Sequence, residues 1–359
     1  MKIISLKKGP VKKKKIYGLD MGESGLRIAS LSRQGEEFIL EDFSFRDFPL
    51  REEPIDQATL IQTLQDLKKD IAGEEEIKAV VNLYRTEPIL KFLTLPYMAE
   101  AELNKTIRYQ AQRFIVYNID KMIIDYAVIN TFQEGGLKKV NLALAATTKE
   151  VVYKEVEILK NGGIEPVSIG VDCLAQFDLA REKGAFKNDE VVGFIDWGAK
   201  KVRLQIIDGG IPRFHRECPA IGSWEINKAL KQNFKLSWEE AERIKREFSY
   251  SPLEDKDKGD YRKVIEKVMG DTLLEIKRSL DYYIDISPQK TVERIILTGG
   301  GALLSHLRDL FPQNLGIKAE IFDPFQNITF SEKIRDIKTL QKSSLRFTTV
   351  MGLALEAGE

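Results

Sequence analysis

Apolar and polar positions set the order of elements along the chain. An apolar run from Ile16 to Met21 is followed by a turn over Gly22 to Gly25, and Leu26 to Ser32 then alternates as a half-buried strand does. Gln34-Gly35 marks a hairpin turn, and Phe38 to Phe45 alternates again. The period then lengthens: Leu60, Ile61, Leu64, Leu67 and Ile71 share one face of a helix predicted over Ile55 to Ile71. Ala79-Val80-Val81 reads as a short buried strand. Beyond it, Pro88 to Leu95 predicts a strand ended by Pro96. A helix is predicted from Ala99 to about Val116, with Leu103, Ile107, Ala111 and Phe114 on one stripe. Strands at Met122 to Thr131 and Lys138 to Ala146 flank the turn Glu134-Gly135-Gly136, and a helix over Lys149 to Lys160 stops at Gly162-Gly163.

A second αβ half begins near Val191. Strands are expected at Val191 to Trp197, Val202 to Asp208 and Pro212 to Cys218, then helices at Ser223 to Asn233 and Ser237 to Phe248. Ser251 to Gly259 is charged, lacks a core pattern and reads as an exposed loop. A long helix from about Asp260 to Asp285 precedes Pro288. A strand at Arg294 to Leu297, a Gly-rich turn, a helix, a strand near Lys318 to Ile321, a polar surface excursion over Ser331 to Ser344 and a helix from Thr348 to Glu356 complete the chain. These patterns predict a first half over 16–83 joined by 167–190, a small α+β insert over 84–166 and a second half over 191–359.

The informative feature is a duplication. Gly18-Leu19-Asp20-Met21-Gly22 heads one unit and Phe194-Ile195-Asp196-Trp197-Gly198 the other. Each continues through three turn residues into an apolar-Arg-apolar strand, Leu26-Arg27-Ile28 and Val202-Arg203-Leu204. A tight hairpin offers successive backbone N–H groups to an anion, and glycine lets a phosphate approach the backbone. An Asp at the end of each first strand, one per half, suits the water shell of a Mg²⁺ on nucleotide phosphates, because Mg²⁺ takes one or two carboxylates and keeps its waters. One Asp-x-Gly alone would be an ordinary turn; two with matched flanks point to a shared nucleotide site. Ile295 to Thr298 running into Gly299-Gly300-Gly301 adds a strand, a side-chain-free turn and a helix start where a base or phosphate can lie on the backbone.

Composition narrows the partners. The 359 residues are 43% hydrophobic and 31% charged, with 55 Lys plus Arg against 55 Asp plus Glu. A balanced chain lacks the basic field that nucleic acid requires. Two cysteines, Cys173 and Cys218, form neither a disulfide framework nor a metal motif, which fits a reducing cytoplasm. No apolar run approaches the ~18 residues of a membrane span. Lys12 to Lys15 suits either an anionic lipid surface or a solvated lead-in to the first strand.

At the duplicated hairpins and the triple glycine the sequence resembles the actin-like ATPase superfamily, and within it the PilM-like type IV pilus assembly proteins related to FtsA. The likeness runs through Tyr17 to Ser32, Leu93 to Asp125, Ala143 to Asp172, Val191 to Gly222, Ser237 to Lys245, Glu275 to Gly301 and Val350 to Leu355. It implies an α/β, ribonuclease H-like fold duplicated into two lobes, with a small α+β subdomain inserted in the first. It also implies ATP or ADP with Mg²⁺ in the cleft. By motif, Asp20, Gly22, Ser24 and Gly25 fall in the first phosphate loop and Asp196, Gly198, Ala199 and Lys200 in the second. Gly299, Gly300 and Gly301 fall in the adenosine motif, and Glu242 and Lys245 in the A-E-x-x-K helix that flanks base and ribose. Asp20 and Asp196 are the expected metal carboxylates, and Asp172 follows a strand resembling the first connecting segment.

The resemblance further implies a cytoplasmic scaffold held at the inner membrane by a PilN-like single-pass protein, whose short N-terminal peptide it captures. Leu93, Leu95, Tyr97, Tyr109 and Phe114 of the insert are the candidate contacts. Other pilus components and self-association are compatible with that role. One departure from the family pattern stands out: Lys200-Lys201-Val202 replaces the usual glycine and hydroxyl residues of the second loop, which predicts slow or absent hydrolysis. Three alternatives share the fold. A small-molecule kinase needs a general base that no motif supplies, His215 and His306 being isolated. An FtsA-like division protein carries a terminal amphipathic helix, whereas this sequence reaches Gly358-Glu359 directly after the last core helix. A type II secretion L protein carries a membrane span.

Overall fold

The structure is a computed structural model that describes residues 4–5, 15–50, 52–84, 86, 88–250, 259–287 and 290–358. Lys12 to Lys14, the charged stretch 251–258 and Pro288, all noted above, lie outside the described residues.

The first half contains β1 (Ile4–Ser5), β2 (Ile16–Gly22), β3 (Gly25–Gln34), β4 (Glu37–Asp47), α1 (Gln57–Ala72) and β5 (Ile77–Val81). The insert follows with β6 (Ile89–Pro96), α2 (Glu100–Gln112), β7 (Met122–Glu134) and β8 (Leu137–Thr148). The chain then returns through α3 (Lys149–Asn161), β9 (Ile164–Ile169) and α4 (Asp172–Glu182). The second half has β10 (Val191–Trp197), β11 (Lys201–Asp208), β12 (Ile211–Pro219), α5 (Trp224–Phe234), α6 (Trp238–Tyr250) and α7 (Gly259–Ile286). It ends with β13 (Arg294–Thr298), α8 (Leu307–Leu315), β14 (Lys318–Ile321), β15 (Ile328–Phe330), α9 (Ile337–Lys342) and α10 (Thr348–Gly358).

The duplication read from the sequence is a duplication of topology. In the first sheet β4, β3 and β2 pair antiparallel, and β5 and β9 continue parallel. In the second, β12, β11 and β10 pair antiparallel, and β13 and β14 continue parallel. The first sheet has two further edge strands, giving the order β1-β9-β5-β2-β3-β4-β15, and the insert forms a separate sheet, β6-β8-β7.

Three placements differ from the sequence expectation. The insert was expected to reach residue 166, but β9 pairs with β5 in the first sheet and α3 packs against α1. An amphipathic helix and a strand look alike whichever sheet they join; only the non-local β5–β9 pairing decides. Helix α2 stops at Gln112, short of Val116. The stretch 331–344 is not a bare surface excursion: Ile334, Leu340 and Ser344 are buried, and α9 lies within it. One-turn spacing of Ile334, Ile337 and Leu340 was masked by the intervening charges. The second half also does not keep its last elements to itself, since β15 pairs with β4 and α10 packs on β2, β3, β5 and α4.

That last packing is unusually close. A Cβ on Gly18 of β2 would lie 2.2 Å from the Ala354 backbone nitrogen, and one on Gly352 would lie 2.2 Å from the Ala175 carbonyl oxygen. Around α10 a core forms from both halves, with Ala29, Phe177, Phe194, Ile296, Phe347 and Met351 among its members. It joins the two sheets that carry the duplicated hairpins.

One buried acid lies in the first-half core. Glu155 on α3 is 6% exposed and accepts a hydrogen bond from the Tyr84 backbone N–H at 2.7 Å. Burial pushes its carboxyl up to about 7 against the opposing pull of that bond. A carboxyl raised on folding stabilises fully below its unfolded value, and that contribution is lost as pH rises through the folded value. Glu155→Gln keeps an acceptor for Tyr84. It is expected to exceed the parent in stability by roughly 3 kcal/mol at about pH 8, from the ~1.4 kcal/mol carried by each pKa unit, and to show no gain at about pH 4. Urea unfolding curves whose separation does not change between the two pH values would refute this.

Candidate functional site

Both hairpins present their acids at the floor of one cleft. Asp20 lies near the end of β2 and is 7% exposed; Asn82 Nδ2 donates to its Oδ1 at 3.1 Å while Asn82 Oδ1 accepts from the Met21 N–H. Asp196 occupies the matching place on β10. Arg203 Nη1 and Gln176 Nε2 each donate to its Oδ2 at 2.9 Å. Burial raises the Asp20 carboxyl and the nearby Asp196 charge adds to the rise, while Arg27 and Arg203 oppose it.

Sheet register places an arginine across from each acid: Asp20 faces Arg27, and Asp196 faces Arg203. The two arginines act differently. Arg27 turns to its own hairpin tip, donating to the Gly25 carbonyl at 2.8 Å and Ser24 Oγ at 2.9 Å, and lies 3.9 Å from Asp20 Oδ2. Arg203 reaches away from its tip, to Asp196 and to Asp172 Oδ2 at 2.7 Å.

The glycine turn after β13 closes the floor. Gly299 has φ 86°, and a Cβ there would meet Asp196 Oδ1 at 2.2 Å. At Gly301 a Cβ would meet Trp197 Cδ1 at 2.3 Å. The tryptophan between Asp196 and Gly198 thus has a packing role: its buried indole supports the glycine turn.

The far wall is α6. Lys245 Nζ lies 2.7 Å from Glu242 Oε2, and both are buried. Asn227 on α5 serves both partners, donating to Glu242 at 2.7 Å and accepting from Lys245 at 2.8 Å, while Arg246 Nε donates to Glu242 Oε1 at 2.8 Å. Burial acts to raise Glu242, but Lys245, Asn227 and Arg246 together hold it below the usual carboxylate range. Ion pairs between the halves include Lys200 to Glu23 between the hairpin tips at 3.3 Å, Lys231 to Glu52 at 2.6 Å, and Arg346 to Asp47.

Asp20, Gly22, Ser24, Asp196, Gly198, Ala199, Lys200, Glu242, Lys245, Gly299, Gly300 and Gly301 all line this cleft; Gly25 does not, its carbonyl being turned to Arg27. Sequence reasoning did not select Gln176, Arg246 or Arg346, which also line it, nor assign cleft roles to Arg27 and Arg203. The two arginines were visible as the repeated apolar-Arg-apolar signal; Gln176 and Arg346 carried none. His215 and His306 lie off the cleft lining. Among the described residues no cluster of three or more His, Cys, Asp or Glu is arranged for a metal. Two carboxylates at the floor nevertheless fit a Mg²⁺ that keeps waters and phosphate oxygens as its other ligands.

The five insert residues separate. Leu95 is core, Leu93 and Phe114 pack half-buried on that core, and Tyr97 and Tyr109 are 53% and 66% exposed. Lys138 Nζ sits 3.7 Å from the Tyr97 ring centroid. Among the described residues no helix is long and apolar enough to cross a membrane.

The sequence model of a family described as type IV pilus assembly protein PilM matches residues 18–358. Among solved structures, a chain of the PilM-PilN type IV pilus biogenesis complex is 25% identical, with 97% of this chain and 100% of that chain covered at a TM-score of 0.80. The ethanolamine utilization protein EutJ from Carboxydothermus hydrogenoformans is 16% identical over 97% of this chain and 91% of its own, with a TM-score of 0.57. MreB5 of Spiroplasma citri bound to ADP is 12% identical over 96% of each chain, with a TM-score of 0.50. The fold is the actin-like one that the duplicated hairpins implied.

Proposed function

The chain belongs to the type IV pilus assembly protein PilM family, and from that premise we propose that it is a nucleotide-binding scaffold of the pilus machinery that captures the N-terminal cytoplasmic peptide of a PilN-like membrane protein. The observation that carries the nucleotide reading is the convergence of both Asp-ended hairpins and the triple glycine on one cleft. ATP or ADP would place its phosphates at the hairpin tips, where the loop backbone of Gly22, Ser24, Gly198 and Ala199 and the Lys200 ammonium face the cleft. Its base and ribose would lie between the glycine turn and the Glu242–Lys245 wall. Asp20 and Asp196 would hold Mg²⁺, which supplies charge neutralisation of the phosphates. The Lys200-Lys201-Val202 sequence offers no hydroxyl to the second tip, so binding outlasts hydrolysis.

Calorimetry with ATP and Mg²⁺ tests this. Binding is expected, with Asp20→Ala and Asp196→Ala each weakening the Mg²⁺-dependent part at least about tenfold, roughly one uncompensated charge-assisted contact. No heat and no thermal shift from nucleotide-free protein would sink the nucleotide reading. Turnover is expected below the ~1 to 100 per second of kinases; faster turnover with a small acceptor would revive the kinase alternative.

The partner reading rests on the family and on the insert. The solved relative is a PilM-PilN complex, and the insert exposes Tyr97 and Tyr109 beside a compact core. An extended peptide binds such a lobe by filling side-chain pockets or adding to a strand edge. The chain would then reside in the cytoplasm, at the inner membrane through its partner. A synthetic PilN-like N-terminal peptide is expected to lose at least about tenfold in affinity when Tyr97 and Tyr109 are both changed to alanine, in line with aromatic anchors of ~1 to 2 kcal/mol. Unchanged affinity would move the binding surface elsewhere.

A further inference from the structure

Arg203 lies where three acids from three elements converge. It bridges Asp172 at the start of α4 (2.7 Å) and Asp196 at the end of β10 (2.9 Å), and its Nε is 3.9 Å from Glu217 of β12. The side chains of Arg203, Asp172 and Asp196 are 12%, 10% and 8% exposed. A guanidinium keeps its charge at any working pH and holds two carboxylates at once in a fixed fork. While Arg203 stays in that fork, a divalent cation approaching Asp196 meets a positive charge already seated. The wall beside it also has a vacant acceptor: Gln176 donates through Nε2 to Asp196 and Thr349, while its Oε1 is buried with no hydrogen-bond partner. Gln176 is 1% exposed and lines the cleft. The first hairpin shows that this arrangement is not forced by topology, because Arg27 at the same register braces its own turn instead.

We propose that Arg203 is an exchangeable counter-ion. In the empty cleft it bridges Asp172 and Asp196, offsets one of their two charges, and holds the place beside Asp196 that a divalent cation would take. An arriving phosphate chain, a stronger acceptor for the guanidinium fork, draws it off and frees Asp196 for the cation. Phosphate therefore comes first and metal second. The hand-over rests on the nucleotide reading of the cleft; the counter-ion role does not.

Two titrations separate the parts. With Mn²⁺ alone, followed by electron paramagnetic resonance, Arg203→Met is expected to bind at least about tenfold more tightly than the parent, since a carboxylate pair without its bridging cation replaces one already bridged. With pyrophosphate in excess EDTA, the same variant is expected to bind at least about tenfold more weakly. A purely structural arginine would lower both affinities together. Where Arg203→Met does not fold, Asp172→Asn combined with Arg203→Met removes one charge of each sign; it is expected to keep the loss of pyrophosphate affinity and to show a smaller gain in Mn²⁺ affinity, because Asp196 is still freed of its arginine. Folded variants with no gain in Mn²⁺ affinity overturn the counter-ion role. Pyrophosphate held equally by parent and variant overturns the hand-over, and pyrophosphate held by neither overturns the nucleotide reading along with it.

Discussion

Leucine at position 352 is expected to destabilise the protein by about 3 kcal/mol or more, at the upper end of what overpacking a filled site costs. A Cβ at Gly352 would lie 2.2 Å from the Ala175 carbonyl oxygen, a backbone atom inside α4 that cannot rotate away. Helix α10 cannot retreat either, because its other side meets β2 at Gly18, where a Cβ would lie 2.2 Å from Ala354 N. The helix is held between two backbones, and a larger residue must part them. Gly270→Ala is the control. That glycine lies inside α7 with open space around its Cβ position, so alanine is expected to stabilise by roughly 0.5–1 kcal/mol through helix propensity. Opposite signs in chemical denaturation support the account; a neutral Gly352→Leu would show that α10 is not clamped.

The second large effect concerns the far wall of the cleft. Lys245→Met leaves Glu242 buried without its ammonium, and breaking such a pair from one side costs about 3–5 kcal/mol. Glu242→Gln combined with Lys245→Met removes both charges and is expected to recover most of the loss. The pH dependence follows from the depressed Glu242 carboxyl. Its contribution is present above the unfolded carboxylate value and lost as pH falls through the folded one. The gap between parent and Lys245→Met should therefore close in acid. A gap of constant width, or a double variant no better than the single, would mean that packing rather than charge pairing holds this wall.

How far the sequence reached depended on whether a signal was local. The two Asp-x-Gly hairpins and the triple glycine were legible because strand, turn and glycine chemistry sit within a few residues, and all three line the same cleft. Gly25 was read as a loop contact, but its backbone instead anchors Arg27. The bridge from Arg203 to Asp172 was not legible: its strand and helix meet only once both halves are folded. Arg346 reaches the cleft from a stretch that follows a lysine-rich segment, where nothing local marks it. The limits of the insert were misplaced for the same reason, since α3 and β9 declare their sheet only through pairing with β5.

Helix α10 also sets a schedule for biosynthesis. The strands and helix it covers, β2, β3, β5 and α4, are all complete by residue 182, yet the residues that roof them are 348–358. At about 5–20 residues per second on the ribosome, the first half waits on the order of ten to thirty seconds with the surface around Gly18 and Ala175 uncovered. During that interval it is a natural client for a chaperone that shields apolar surface. A nascent chain arrested just before residue 348 should remain protease-sensitive in its first half even though every strand of the first sheet has been made.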